Sequence, residues 1–330
     1  MTQAGKIAVV IPFYQRTPGV LAKTIRSVLD QTGVENVLAI VVDDGSPIKA
    51  RDELARFLPE AGDRLCIVEQ VNGGAAAARN TGLDNVPADA DAVAFLDSDD
   101  IWTVDHLANA MFALNNGFDL YFSDFYQLNQ TVTAFNRAGR IKVADHPLIA
   151  GSEHIHEYRG DMVDQIITGN ILGTSVIVCR REVATAIRFR TYFRHTGEEY
   201  LYWIELARRS RKIAFSDKPE CRYEAGVNIY SESAWGKEKY LSVIVDDVKY
   251  RQIILSEYSP TATQRRFLED RIRLLRRSFT AGLVHRLLRG SLDYSLLGRY
   301  MKVDKSYPIN IWRSVLELLW ESVSGKSASN

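Results

Sequence analysis

Residues 92–100 read Ala92-Val93-Ala94-Phe95-Leu96-Asp97-Ser98-Asp99-Asp100: five apolar residues running straight into three carboxylates. A short apolar run of this kind reads as a strand buried on both faces, and the carboxylates mark where it leaves the core. Like charges this close repel strongly in a partly dry site. Two uses of the cluster follow. A magnesium or manganese ion removes the repulsion, because such ions take one or two carboxylates and complete their shell with phosphate oxygens. Held there, the ion would neutralise a diphosphate leaving group. Alternatively, Ser98-Asp99-Asp100 caps the helix that follows.

Working outward, the first 125 residues alternate between strand and helix signals. Ile7–Ile11, Val37–Val42 and Leu65–Val68 read as further buried strands, and Asp119–Phe122 as a later one. Thr17-Pro18 looks like a helix cap followed by proline at the first helical position, with Leu21, Ile25, Val28 and Leu29 at helical spacing. Leu54, Phe57 and Leu58 mark a second helix, Ala75–Leu83 a third and His106–Leu114 a fourth. This alternation predicts an α/β fold with a mainly parallel sheet covered on both faces. Ligands bind such sheets beyond the carboxyl ends of the strands, where the acidic cluster falls.

A second acidic cluster, Asp43-Asp44-Gly45-Ser46, also ends a buried strand. It reads either as an Asp-Gly turn or as carboxylates accepting hydrogen bonds from a ribose or a base N–H. Asn72-Gly73-Gly74 lets backbone approach a ligand closely. Arg79, just beyond, has two uses as well: a phosphate or base contact, or an ion pair with Asp44 or Asp97. No dinucleotide fingerprint or P-loop is present. Gly197-Glu198-Glu199 precedes an aromatic helix, Tyr200-Leu201-Tyr202-Trp203. Paired carboxylates there complement the helix dipole, or one of them deprotonates an acceptor hydroxyl. His154 and His156 read as members of a solvated loop.

The pattern weakens over about 130–170. Thr174–Val178 returns as a strand, with a short helix from Arg181; Glu198–Arg208 is helical and Ile213–Phe215 strand-like. Beyond about 232 the chain reads as helical, with arginines from Arg265 to Arg289 interleaved among leucines and phenylalanines. Such a segment either lies on an anionic membrane surface, packs as an ordinary helix with its arginines solvated or paired, or forms an oligomer interface.

The chain has 330 residues, 46% hydrophobic and 25% charged, with a formal net charge of zero. A net positive field for nucleic acid is missing. Three widely spaced cysteines, Cys66, Cys179 and Cys221, argue against a disulfide scaffold and fit a reducing compartment. No signal peptide and no transmembrane helix are expected, which points to the cytoplasm, and Asn129-Gln130-Thr131 is a chance sequon.

Taken in order, Val9-Val10-Ile11-Pro12-Phe13-Tyr14, Val41-Val42-Asp43-Asp44-Gly45-Ser46, Asn72-Gly73-Gly74, Ala78-Arg79-Asn80-Thr81-Gly82 and Phe95-Leu96-Asp97-Ser98-Asp99-Asp100 resemble the inverting family 2 glycosyltransferases of the GT-A fold. The resemblance covers roughly residues 5–125. It implies a Rossmann-like GT-A domain over 1–230, with a nucleotide-sugar-binding half (1–125) and an acceptor and base half (126–230), and a helical extension over 231–330. It implies a nucleotide-sugar donor, most simply a UDP-sugar, held near Pro12, Tyr14, Asp43, Asp44, Asn72, Gly73, Arg79, Asp97 and Ser98. It also implies Mn²⁺ or Mg²⁺ on Asp99, with Asp97. Glu199 stands where the family places its catalytic Asp, with Glu198 as competitor. The family's further metal-binding histidine is not found; Asn228, in Gly226-Val227-Asn228-Ile229-Tyr230, stands in its neighbourhood. The combination resembles bacterial succinoglycan-type exopolysaccharide glucosyltransferases, which implies UDP-glucose as donor, a lipid-diphosphate-linked saccharide acceptor, and work at the inner face of the cytoplasmic membrane. The rival enzyme class, a sugar-nucleotide pyrophosphorylase, needs a Gly-rich basic signature after the first strand, where this chain has Pro12-Phe13-Tyr14-Gln15-Arg16. A degenerate carbohydrate-binding scaffold is the non-enzymatic rival.

Overall fold

The computed structural model describes residues 3–224, 235, 237 and 239–324. The chain divides into two compact units, Met1–Thr191 with Tyr202–Val227, and Tyr192–Leu201 with Asn228–Asn330.

The first unit is built on one nine-stranded sheet: β1 (Gln3–Phe13), β2 (Val34–Asp43), β3 (Leu65–Glu69), β4 (Ala92–Phe95), β5 (Asp100–Trp102), β6 (Leu120–Tyr126), β7 (Ile155–Glu157), β8 (Val178–Arg180) and β9 (Ile213–Tyr223). Their order is β3-β2-β1-β4-β8-β6-β9-β5, with β7 added on β9. The β3-β2-β1-β4 half is wholly parallel. The other half is mixed: β8 runs antiparallel to β4 and β6, while β6 and β9 are parallel. Ile7 to Ile11 are fully buried, as are Ala39 to Val42 and Ala92 to Leu96. That is why these strands read as continuous apolar runs and not as alternations. Helices Val20–Leu29, Ala75–Asp84 and His106–Asn115 pack on the sheet. The Ala75–Asp84 helix comes so close to β1 that a Cβ on Gly82 would lie 2.4 Å from Val10 Cγ1.

Several local expectations are corrected. The first helix begins at Val20 behind Gly19, whose φ of 89° breaks the chain's direction, so Thr17-Pro18 lies in the preceding turn. The helix expected around Leu54–Leu58 is two short pieces, Ala50–Leu54 and Leu58–Ala61, interrupted at Phe57. Residues Thr174–Val176 form a 3₁₀ turn and the strand starts at Val178. His156 is not in a solvated loop. It lies in β7, buried, stacked on Phe215 and 3.3 Å from Asp217, whereas His154 is exposed.

The second unit is helical: Tyr240–Glu257, Ala262–Leu288, Tyr294–Val303 and Tyr307–Ser324. Its core gathers Leu241, Ile244, Val248, Ile272, Phe279 and Tyr300, with Phe279 stacked on Tyr300 at 3.8 Å. Thr261 and Gln264 form a reciprocal capping box at the start of the long helix. The arginine-rich stretch is mainly an ordinary packed helix. Leu268, Ile272, Phe279 and Leu283 are buried, Arg273 pairs with Asp270, and Arg276 reaches the buried Asp304 and Ser306. Within the same unit, the Asp246 carboxylate accepts hydrogen bonds from the backbone N–H groups of Arg194 and His195. Among the described residues, no helix is long and apolar enough to cross a membrane.

Candidate active site

Three strand ends create the site. Phe13 pairs with Asp43, and Val10 with Phe95, so β1, β2 and β4 finish on one edge of the sheet. Asp44 N–H donates to the Phe13 carbonyl, and Leu96 N–H to that of Val10, extending the alignment one residue past each strand. Pro12, Tyr14, Asp43, Asp44, Asp97 and Ser98 are thereby brought together from three separate parts of the sequence.

Asp43 and Asp44 have divided duties. The buried Asp43 carboxylate accepts from Ser46 N–H at 2.7 Å and Ala50 N–H at 2.9 Å, so it shapes the turn and caps a helix. Asp44 accepts from Gly73 N–H and Gln70 Nε2, each at 2.7 Å, and from Gly74 N–H at 2.8 Å. Asn72 Nδ2 donates back to the Asp44 carbonyl at 2.9 Å. The Asp-Gly turn and the glycine loop, 28 residues apart in sequence for the Asp44–Asn72 pair, are one structure. Gly74 has φ 88°, and a Cβ on Gly73 would meet Ala77 Cβ at 2.8 Å, which accounts for both glycines. A carboxylate has about four acceptor positions. Three are taken at Asp44, so it retains capacity for one further donor.

The Asp97 cluster is held as tightly. Arg79 is buried and its Nη2 donates to Asp97 Oδ1 at 2.7 Å, with its guanidinium 5.4 Å from the Phe189 ring. The ion pair of Arg79 with Asp97, one of its two expected uses, is formed. Ser175 ties the cluster from the other side: its Oγ accepts from Asp97 N–H at 3.0 Å and donates to Asp100 Oδ2. Thr24 Oγ1 donates to the Ser98 carbonyl, and Gln15 Nε2 reaches Ser98 Oγ at 3.4 Å.

The helix-cap alternative for this cluster is excluded. Asp100 begins β5, paired with Tyr223, and the next helix starts only at His106. The carboxylates are instead crowded into the sheet edge. Burial, reinforced by the Asp97 charge, pushes the Asp99 carboxyl up to about 7. Burial raises Asp100 well above the ordinary carboxylate range, with Asp97 and Asp99 adding to the effect. Such shifts mark a site short of positive charge. Among the described residues no three His, Cys, Asp or Glu side chains are grouped to hold a metal ion. Asp97 and Asp99 nonetheless fit the needs of a divalent cation that draws its other ligands from phosphate and water.

Glu198 and Glu199 form the first turn of the helix Glu198–Arg209, after Gly197 with φ 109°. A Cβ on Gly197 would lie 3.0 Å from both Phe193 and Tyr250. This turn belongs to the second unit, where Tyr200 stacks on Tyr250 at 4.9 Å. The helix's later residues belong to the first unit. There Tyr202 stacks on Phe189 at 3.8 Å, and Tyr202 and Trp203 meet Phe95 edge to face. Asn228 and its neighbours lie outside the described residues.

The family model Glycosyl transferase family 2 matches residues 8–188, more than half the chain. The chain belongs to glycosyl transferase family 2. It is 33% identical over 240 residues to the succinoglycan biosynthesis protein ExoW of Rhizobium meliloti (strain 1021), covering 68% of this chain and 70% of that protein. Its fold is similar to that of S. aureus TarS (residues 1–349) in complex with UDP-GlcNAc: TM-score 0.58, 16% identity, 98% of this chain and 93% of the other. It is also similar to the mannosyltransferase PcManGT from Pyrobaculum calidifontis in complex with GDP-Man and Mn²⁺, with TM-score 0.54, 15% identity, and 98% and 88% coverage. The fold is GT-A-like, as the motif order implied. With family membership the pyrophosphorylase reading falls.

Ser175, Thr24 and Gln15 were missed as parts of the site. Their only sequence signal is an ordinary polar side chain, and only the fold brings Ser175 beside Asp97, 78 positions earlier.

Proposed function

We propose that this family member is an inverting hexosyltransferase that takes a UDP-hexose, UDP-glucose first, and extends a saccharide acceptor in exopolysaccharide synthesis. The observation that carries the reading is the Asp97–Asp99–Asp100 cluster, held by Arg79 and Ser175, in which burial and the neighbouring carboxylates push Asp99 and Asp100 upward. Mn²⁺ or Mg²⁺ would be held by Asp99 with Asp97; when bound it would supply charge neutralisation for the departing diphosphate. Support comes from the neighbours in complex with UDP-GlcNAc and with GDP-Man and Mn²⁺, and from the likeness to a succinoglycan biosynthesis protein.

In this reading Asp44 offers its remaining acceptor capacity to the nucleoside, while Asp43 keeps the turn in shape. The backbone at Asn72 and Gly73, with Pro12 and Tyr14, forms the bed for the nucleotide. Arg79 fixes the Asp97 carboxylate, and Ser98 lines the edge beside it. Glu199, at the position of the family's base, takes the proton from the acceptor hydroxyl as that oxygen attacks the anomeric carbon, and Glu198 competes for the role. General-base help is worth roughly 10²–10⁴-fold. The acceptor is lipid-diphosphate-linked and is met at the cytoplasmic face of the membrane.

The test is a panel of nucleotide sugars incubated with Mn²⁺, read by release of nucleoside diphosphate. Release from one UDP-hexose, abolished by chelator, is expected. Equal silence across the panel, with and without saccharide acceptors, would reduce the protein to a carbohydrate-binding scaffold.

A further inference from the structure

The last helix is Tyr307–Ser324, and its described side chains, at 307–316, are apolar on two opposite sides. Tyr307 and Ser314 are buried and Ile311 packs against the helical core. At 3.6 residues per turn these three positions share a sector of about 60°. Ile309, Trp312 and Leu316 fall in a sector of similar width on the far side and are 82%, 73% and 65% exposed. A helix that buries one face and leaves a second apolar face in water implies something that covers it. The feature is local. More than half of the large apolar side chains exposed among the described residues lie between 284 and 316, including Leu288 and Tyr294.

The charges nearby indicate the cover. The whole chain is electrically neutral, yet residues 286–313, ahead of Glu317 and Glu321 in the last helix, hold six basic side chains and two acidic ones. Neither acid faces outward unused: Asp304 is buried against Arg276, and Asp293 caps the helix Tyr294–Val303. Lys302 and Lys305, both exposed and just ahead of the last helix, have no carboxylate partner among the described residues. A second copy docked through the same segment would set its excess of basic residues against the same excess. An anionic lipid surface complements both features, because an interfacial helix buries its apolar face and Trp at the headgroup boundary while basic residues meet lipid phosphates.

We propose that the face carrying Ile309, Trp312 and Leu316, with Lys302 and Lys305 beside it in sequence, docks the protein on an anionic phospholipid bilayer. This deepens the membrane-face placement proposed above and moves it from the arginine-rich helix to the last one. It does not depend on the glycosyl-transfer chemistry.

The test uses the full chain, without nucleotide sugar, and vesicles of pure phosphatidylcholine or of phosphatidylcholine with a quarter phosphatidylglycerol, at about 0.1 and 0.5 M salt. Co-sedimentation at least tenfold stronger with the anionic vesicles, and weakened by salt, is expected. The double substitution Trp312→Ser with Leu316→Ser lowers it at least tenfold, and Lys302→Gln with Lys305→Gln reduces both binding and its salt dependence. Thermal midpoints near the parent's show that these exposed substitutions leave the fold intact. Equal binding to both vesicles, binding unchanged by the Trp312/Leu316 pair, or a dimer that this pair dissociates in the absence of vesicle binding would each overturn the proposal.

Discussion

Replacing Ser175 by Ala removes a single oxygen from the centre of the site. That oxygen is fully buried and spans two partners, accepting from Asp97 N–H at 3.0 Å and donating to Asp100 Oδ2. The substitution leaves a backbone N–H without this partner, and a buried carboxyl loses its hydroxyl donor. An unsatisfied buried polar group costs about 1–3 kcal/mol. The methyl side chain fills most of the same space, so little is added for a cavity. The expected loss is therefore roughly 2–6 kcal/mol for the two groups together, a fall in the unfolding midpoint of the order of 4–24 °C if about 2–4 °C accompanies each kcal/mol. The backbone at Asp97 also loses its anchor, so UDP affinity in the presence of Mn²⁺ should fall about tenfold. Thermal unfolding and calorimetric titration with UDP measure the two effects. A midpoint within about 1 °C of the parent, with UDP affinity unchanged, would refute the view that Ser175 organises the cluster.

Three other outcomes follow. Glu199→Gln should lower turnover by roughly 10²–10⁴-fold with donor affinity intact; full activity would remove Glu199 from the base role. Gly82→Ala forces a methyl to within 2.4 Å of Val10 Cγ1, so destabilisation of about 1–3 kcal/mol is expected in a denaturant titration. The pH response of the chelated protein has a defined sign. The folded state holds the Asp99 proton up to about pH 7, whereas the unfolded chain releases it near the ordinary carboxylate value. Stability from this group is thus fully present at low pH and is lost as pH rises toward 7. Asp99→Asn, neutral throughout, should match the parent near pH 4 and exceed it at pH 8 in chelator. Melting curves at the two pH values check this.

The parallel half of the sheet was legible because its strands are buried on both faces. Ile7–Ile11, Val37–Val42 and Ala92–Leu96 are unbroken apolar runs whose shortness favours strands over buried helices. The mixed half was not legible for the opposite reason. β5, β7 and β8 are three residues each, too short for any periodicity, and they exist only because β9 and the β4–β6 edge supply partners. The same limit hid the fate of Ser98-Asp99-Asp100, whose capping alternative ended when Asp100 proved to start a strand. Within the site, the carboxylates announced themselves by crowding. Their wiring did not. That Asp44 grips Gly73 and Gly74 rather than a nearer loop, and that Ser175 bridges Asp97 and Asp100, depends on long-range packing that no local spacing encodes. His156 was misplaced for a related reason, since its burial on Phe215 comes from strand pairing between β7 and β9.

In the proposed reading Asp99, with Asp97, makes donor binding depend on a divalent cation. Calorimetric titration of UDP into the parent and into Asp99→Ala, each with chelator and then with saturating Mn²⁺, tests it most directly. Binding by the parent should appear only with Mn²⁺, with no gain from Mn²⁺ in Asp99→Ala. Equal Mn²⁺-dependent binding by both proteins would contradict it.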